Sequence, residues 1–445
     1  MTVTNVALRA ARLLPGLALA AVLTTAPPAL AAGAPVPLLE KGKEVEWWFA
    51  YKFNSQNYNK ERPFVGCGDN SGTRVCVFDK KGTPVNPKAG ANFSQQYVFA
   101  SSADGKLVKG KGCIGMTMTD PVGATFDQIY HGSPFFLIWN DQFYNDPPIK
   151  GCSKGECQGP WGHSKGVLAW NEAGEGVVMQ VTTPSWPASG SEKFPRKHFN
   201  TLGCVNTQNN LNNAQHFFAL KLDKNGVMTI LQALANANVV TNVHEPQLAR
   251  LGGPDEVRAL AEKVGEPPKT IAPDKKTADD LKIMQVRLSK DVTLISKPSN
   301  LNVPPWQMVS ALLDGESQRT ATWWAFPQIF STKASTAIGC WEGVLKSGNK
   351  KPGDVVIALD GSWDKHKIKL IGGSNHAKIG VTTSGAKHYA IFGDLNQQGS
   401  INKVKGKCDS SQNGRGGMFF VVENDDLFKT LSDMLDGANE PFKSK

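Results

Sequence analysis

Apolar residues fall along this chain mostly in short runs bounded by glycine, proline and charge. Residues 44–53, Glu-Val-Glu-Trp-Trp-Phe-Ala-Tyr-Lys-Phe, combine aromatic and β-branched side chains and predict a buried strand. Runs at 96–100, 135–139, 166–170, 177–182, 217–222, 284–288, 355–359, 379–383, 389–392 and 418–422 read the same way. Helical periodicity is rarer. Residues 254–264 open on Pro254-Asp255-Glu256, place Val257, Leu260, Ala261 and Val264 on one face, and stop at Gly265. Residues 425–435 have Asn424 at the N-cap, an apolar face of Leu427, Phe428, Leu431, Met434 and Leu435, and Gly437 as terminator. Residues 304–313 are a third candidate helix. Strands dominate with helices between them, so the class is α/β or α+β. Residues 265–280 hold three prolines and several charges and read as a surface loop near the middle of the chain. That position invites a search for duplication.

Composition narrows the class. With 40% hydrophobic and 20% charged residues, the 445-residue chain is no disordered polyelectrolyte, and 44 Gly with 27 Pro argue against an all-helical bundle. Arg9 and Arg12 precede an apolar stretch at 13–23, and Ala29-Leu30-Ala31 follows as a small-x-small pattern, so residues 1–31 read as a secretory signal peptide. Pro27-Pro28 break the run before it reaches the ~20 residues of a membrane span. The implied destination is the periplasm or the exterior. The formal net charge is +10, of which Arg9 and Arg12 supply only two. A basic exported chain attracts polyanions: nucleic acid, anionic lipid or acidic polysaccharide.

All eight cysteines follow residue 31, an even count that suits up to four disulfides. Cys152 with Cys157, and Cys67 with Cys76, are spaced to close small loops; the remaining connectivity, including Cys113, Cys204, Cys340 and Cys408, stays open. No Cys-x-x-Cys or His-x-x-x-His pair is present, so a structural metal cluster is not expected.

A short repeat carries the candidate chemistry. Gly162-His163-Ser164-Lys165-Gly166-Val167 in the first half matches Asn375-His376-Ala377-Lys378-Ile379-Gly380-Val381 in the second. Each is a His-x-Lys leading into a strand-like run, which sets imidazole beside ammonium on one face. By count alone the pattern is weak; its placement, one per half in the same context, gives it weight. Two such units would flank a phosphodiester with two imidazoles and two fixed cations. One neutral ring can attack phosphorus, a protonated one can release its proton to the departing oxygen, and the lysines can stabilise the charge that develops.

The longer string resembles the deoxyribonuclease II family, a branch of the phospholipase D-like superfamily built from two similar halves. The matching segments are Val45-Glu46-Trp47-Trp48-Phe49-Ala50-Tyr51-Lys52, Trp139-Asn140-Asp141-Gln142 with Pro147-Pro148, the His163 motif, and Thr183-Pro184-Ser185-Trp186-Pro187. In the second half they are the His376 motif, Gly393-Asp394-Leu395-Asn396 and Gly414-Arg415-Gly416-Gly417. The resemblance implies an α/β fold of two pseudo-twofold-related halves, 32–240 and 241–445, with the active site at their junction and one chain able to complete it. It implies an acid endonuclease that cuts DNA without metal or cofactor and leaves 3′-phosphate and 5′-hydroxyl ends. His163/Lys165 and His376/Lys378 fall on the catalytic positions, with His163 as nucleophile and His376 as general acid. Asn396 takes the place of the superfamily amide after the second motif, and Asp394 lies beside it. Arg415, in its glycine-rich run, is a candidate phosphate contact or part of a turn.

Asn171, Gln180 and Ile379 depart from the family's residues, and residues 143–146 are an insertion. Trp47-Trp48 and Trp323-Trp324 can stack bases but read more readily as core. The other histidines, His131, His198, His216, His244, His366 and His388, read as structural or exposed, with His198 set in a basic run. Two other functions use the same residues: a phosphodiesterase acting on lipid or RNA, and a protein that binds nucleic acid without cutting it.

Overall fold

The computed structural model describes residues 33–54, 97–184 and 213–442, apart from 112, 113, 116, 117, 133, 146 and 154 and the side chain of His366. The proposed leader, Cys67, Cys76, Cys113, Cys204 and His198 lie outside the described residues.

The chain is a mixed α/β protein with two large sheets. A hairpin of β1 (Leu38–Glu40) and β2 (Lys43–Glu44) precedes the first. That sheet contains β3 (Trp47–Lys52), β4 (Tyr97–Ser101), β5 (Asp104–Lys109), β6 (Phe135–Asn140), β7 (Lys165–Trp170), β8 (Gly176–Val181), β9 (Gln215–Leu222) and β10 (Ala249–Arg250). Its order is β10-β6-β7-β8-β9-β3-β4-β5, antiparallel throughout. The second sheet contains β11 (Met284–Arg287), β12 (Val292–Lys297), β13 (Gln318–Ala321), β14 (Val355–Ile357), β17 (Ile379–Thr382), β18 (Tyr389–Gly393) and β19 (Gly417–Glu423). Its order is β11-β12-β19-β18-β17-β13-β14. A hairpin of β15 (Asp360–Trp363) and β16 (His366–Lys369) stands apart.

The two sheets face each other across one core. Along β3, Trp47, Phe49 and Tyr51 point into that shared core, and Trp48 and Ala50 point to an outer one. In β19, Met418, Phe420 and Val422 face inward while Phe419 and Val421 pack outward. Phe49 and Phe392 stack with centroids 4.2 Å apart, and Phe218 meets Phe420 at 5.1 Å. Strands buried on both faces read as continuous apolar runs, which is why so many are visible in the sequence. Trp47-Trp48 are therefore core residues, as expected.

Each outer face carries a helix: Pro121–Tyr130 on the first sheet, through Val122, Phe126 and Ile129, and Pro305–Leu312 on the second, through Trp306, Met308 and Val309. Helices Lys224–Asn236 and Asp425–Leu435 follow β9 and β19 and fill the shared core with Val227, Ile230, Leu231 and Leu234, and with Leu427, Leu431, Met434 and Leu435. The first crosses to β11, β12 and β19, and the second to β5, so each binds the opposite sheet.

Helices Pro121–Tyr130 and Lys224–Asn236 and strand β12 go beyond the elements read from the pattern. Asp120 and Asp223 cap the helices, but Gly123 and Gly226 sit in their first turns. Glycine costs ~1 kcal/mol against Ala in a helix, so burial rather than propensity holds these turns. In β12, Thr293, Ser296 and Lys297 dilute the apolar signal. The expected helix at 254–264 is confined to Asp255–Ala261, and that at 425–435 is as expected. Two disulfides are present among the described residues, Cys152–Cys157 and Cys340–Cys408. No helix among them is long and apolar enough to cross a membrane.

Candidate active site

The two His-x-Lys segments come together where β7 and β17 begin, each held by the opposite half. His163 donates its backbone N–H to Gly416 O (2.8 Å), and His376 donates its own to Ala214 O (2.8 Å). The side chains repeat the exchange. His163 Nδ1 lies 2.7 Å from Asp394 O, just past β18, and His376 Nδ1 lies 2.7 Å from Thr182 O, just past β8. A carbonyl only accepts, so Nδ1 carries the proton in both neutral rings and Nε2 keeps its lone pair. Two glycines make this fit possible: a Cβ on Gly162 or Gly416 would run into the Ala237 carbonyl.

Both rings are buried to within 8% exposure. Burial is the main cause of the lowered pKa of each, which lies well below the ordinary histidine value. At His163 the Asp141 carboxylate opposes that shift, while Lys165, Arg415 and Lys378 add to it. At His376, Lys378, Lys165 and His163 add to it, and the Thr182 carbonyl opposes. The four groups of the two motifs thus act on one another across the sheet junction.

The lysines differ. Lys165 Nζ is ion-paired with Asp141 Oδ1, and Asp141 Oδ2 accepts from Arg415 Nη2 at 2.9 Å. Burial favours the neutral Asp141 carboxyl, but Lys165, with His163 and Arg415, outweighs it and holds the group well below the usual carboxylate range. Lys378 Nζ donates to His376 O at 2.6 Å. Burial, then Lys165, lowers its pKa well below the ordinary value, against Asp141 and Asp394.

Arg415, a candidate phosphate contact, is spent on the protein. Besides Asp141 it donates to Cys157 O (2.7 Å), Gly162 O (2.9 Å) and Trp161 O (2.9 Å). Asp394 is buried behind His163; its carboxylate accepts from Gln180 Nε2 (2.9 Å) and Met418 N (2.8 Å). Burial pushes its pKa up to about 7, against hydrogen bonds from Ser164, Met418 and Gln180 and the charge of Lys165. Asn396 donates to Gln398 Oε1 (2.8 Å), and its own buried Oδ1 has no partner among the described residues.

The sequence reads His216 as structural or exposed and gives no role to Lys52 or Lys297, yet all three belong to the frame of the site. His216 accepts the Lys378 backbone N–H at Nδ1 (3.1 Å) and turns Nε2 to Gln180 Oε1 (3.3 Å), so Gln180 joins the second motif to Asp394 and His163. Lys52 and Lys297 end β3 and β12, both fully buried. Lys52 Nζ donates to Asn213 O (2.8 Å) and Phe53 O, beside the Ala214 that holds His376. Lys297 Nζ donates to Asn413 O and Arg415 O (2.8 Å each), beside the Gly416 that holds His163. Burial lowers each to about 7; at Lys297, Glu342 opposes and Lys276 adds. Lys52 is marked in the sequence by its place at the end of the apolar run that matches the family, whereas Lys297 ends a strand whose apolar signal is diluted. Asn171 caps the β7–β8 turn through Ala173 and Glu175, at the far end of β7 from Lys165, so this departure from the family pattern leaves the site untouched. In the insertion, Tyr144 binds the Gly155 carbonyl and Glu156 next to the Cys152–Cys157 loop.

A search of curated proteins finds no match to the chain. Residues 66–333 match the family model described as deoxyribonuclease II, a span that includes His163 and Lys165 and ends before His376. With more than half of its length matched, the chain belongs to the deoxyribonuclease II family of nucleases, whose substrate is DNA.

Proposed function

We propose that the chain is an exported endonuclease that hydrolyses DNA phosphodiester bonds without a metal ion, through His163, Lys165, His376 and Lys378, leaving 3′-phosphate and 5′-hydroxyl ends. The observation that carries this reading is the convergence of the two motifs, each ring oriented through Nδ1 by a carbonyl of the opposite half. The two halves, 32–240 and 241–445, are read as related in the phospholipase D-like manner. In support, the order β6-β7-β8-β9-β3 has the counterpart β13-β17-β18-β19-β12, with a His-x-Lys entering β7 and β17 alike. The short strand β10 returns from the second segment to the first sheet.

His163 Nε2 attacks phosphorus, the P–O5′ bond breaks, and O5′ takes the proton from His376 Nε2. Water then gives a proton back to His376 and attacks the phosphohistidine, which releases the 3′-phosphate. The electrostatics suit this order. Asp141 acts on His163, the ring that becomes cationic when phosphorylated, and His376 is surrounded by cations, which makes its protonated form a strong acid. The two lysines supply transition-state charge stabilisation. Because His376 holds its second proton only well below the ordinary histidine range, activity rises toward acid and falls as pH increases. Arg415 and Asp394 are assigned to bracing the site, and Asn396 to its edge. Both disulfides fit an exported protein.

Plasmid degradation in EDTA, at acid and neutral pH and beside RNA and phospholipid, tests the reading. Undiminished DNA cleavage that is faster in acid is expected. Loss in EDTA restored by a divalent ion overturns the metal-free mechanism, and a preference for RNA or lipid overturns the substrate.

A further inference from the structure

Residues 322–328 run Thr-Trp-Trp-Ala-Phe-Pro-Gln and leave the second sheet directly after β13. The segment is tied along the wall that begins at Asp394. Gln397 donates its N–H to Thr322 Oγ1 (3.0 Å), Gln398 Nε2 donates to Ala325 O (3.0 Å), and Gly399 donates to Pro327 O (2.8 Å). Gln398 also accepts from Asn396, so the loop is fastened to the site's edge.

Its three aromatic rings have different fates. Trp324 is used internally: Nε1 donates to Ile329 O and the ring meets Phe330 edge-on. Trp323 is half-buried and stands edge-on to His376, with centroids 5.6 Å apart and planes at 80°. Phe326 is 90% exposed, the most exposed large apolar side chain among the described residues. A ring left in water on a tethered loop, three positions after a ring that packs edge-on to a candidate catalytic histidine, contributes little to this chain's own core.

We propose that Trp323 and Phe326 form a stacking wall for the nucleobases that flank the bond being cut, and that this wall gives the enzyme its hold on unpaired DNA. This inference rests on the nuclease reading above. Any phosphate held between His163 and His376 brings a base on either side of it, and every base has a π-face that an aromatic ring accepts without regard to sequence. The turn at 403–407, between Asn396 and Arg415, exposes Lys403, Lys405 and Lys407, charges suited to neighbouring phosphates.

The test is fluorescence anisotropy of two short labelled single-stranded oligonucleotides, one intact and one with abasic sugars at its central positions. Both are measured on the full chain in a His163→Ala background, with and without Phe326→Ala. Loss of one base–aromatic stack weakens binding by about tenfold, so Phe326→Ala is expected to cost about that much on the intact strand and less than twofold on the abasic one. Phe326→Trp is expected to restore the intact strand. The same ratios read as KM in the cutting-competent chain make the result independent of the role given to His163. Equal losses on both strands, or no loss on either, overturn the wall. A chain that binds and cuts neither strand before Phe326 is changed overturns the nuclease reading instead, and the wall with it.

Discussion

Lys165 reaches the Asp141 carboxylate, which also takes the Arg415 guanidinium, whereas Lys378 donates to the carbonyl of His376 within its own motif. Around these lysines the backbone settings are alike: a His N–H given to the opposite half, an Nδ1 on a carbonyl just past a central strand, and a buried lysine bracing the segment that receives it. Similar local sequence and similar hydrogen bonding therefore carry different electrostatics. The first motif has a counter-charge, and the second has none hydrogen-bonded to it among the described residues. Repetition of a motif does not entail repetition of its charge environment, and the proposed mechanism, which needs one proton held between the two rings, would profit from the difference.

The largest effects separate the two histidines. His163→Ala and His376→Ala should each lower DNA cleavage by about 10⁴-fold or more, with DNA affinity and thermal melting largely kept. A substrate with an activated 5′-leaving group should rescue the second variant and not the first. Rescue in the opposite order would exchange the two roles.

Next in size is the contrast between the lysines' surroundings. Asp141→Ala leaves Lys165 and Arg415 buried without their carboxylate and should cost about 3–5 kcal/mol in urea denaturation. Lys378→Met removes a buried cation that has no hydrogen-bonded carboxylate among the described residues, so stability should hold or rise while cleavage falls about 10²–10³-fold. If both variants destabilise alike, the asymmetry has no energetic content.

A smaller effect tests the charge on His376. Lys378 is the second cause, after burial, of its lowered pKa. In Lys378→Met the ring should keep its proton to higher pH, so the fall of the residual rate on the alkaline side should move upward in a pH–kcat profile. An unmoved profile would take proton donation away from His376.

The smallest effect concerns Lys52 and Lys297, both lowered from the ordinary lysine value to about 7. The unfolded chain binds a proton at each up to about pH 10.5, so their contribution to stability is fully present above that pH and is lost as pH falls toward about 7. Lys52→Met and Lys297→Met should each lose ~1–3 kcal/mol at high pH, where carbonyls lose a donor, and less in acid, where removal of a buried charge offsets that loss. The pair should respond alike, unlike Lys165 and Lys378; urea denaturation at pH 5 and pH 9 reads the difference.

Much of this arrangement was legible in the chain. Both His-x-Lys motifs, most strands of the two sheets and helix Asp425–Leu435 were visible because they depend on local periodicity and caps. Helix Lys224–Asn236 was missed because Asn225-Gly226 weakens its first turn, although Val227, Ile230, Leu231 and Leu234 fill the shared core. Arg415 was legible as a candidate phosphate contact or part of a turn, but its bracing hydrogen bonds were not, since its acceptors come from residues 141–162, more than two hundred positions earlier.

Taken alone, the sequence determined the residue types that meet at the site, the strands that carry them and the membership of a nuclease family, because each of these is written in spacing a few residues long. The tertiary structure alone decided which carbonyl orients each imidazole, that Asp141 ion-pairs with Lys165 rather than with Lys378, and that Gln180 and His216 connect the two motifs. These are contacts between elements far apart in the chain. Their energies depend on burial and on the direction of a few hydrogen bonds, and neither quantity exists until the two sheets have closed on each other.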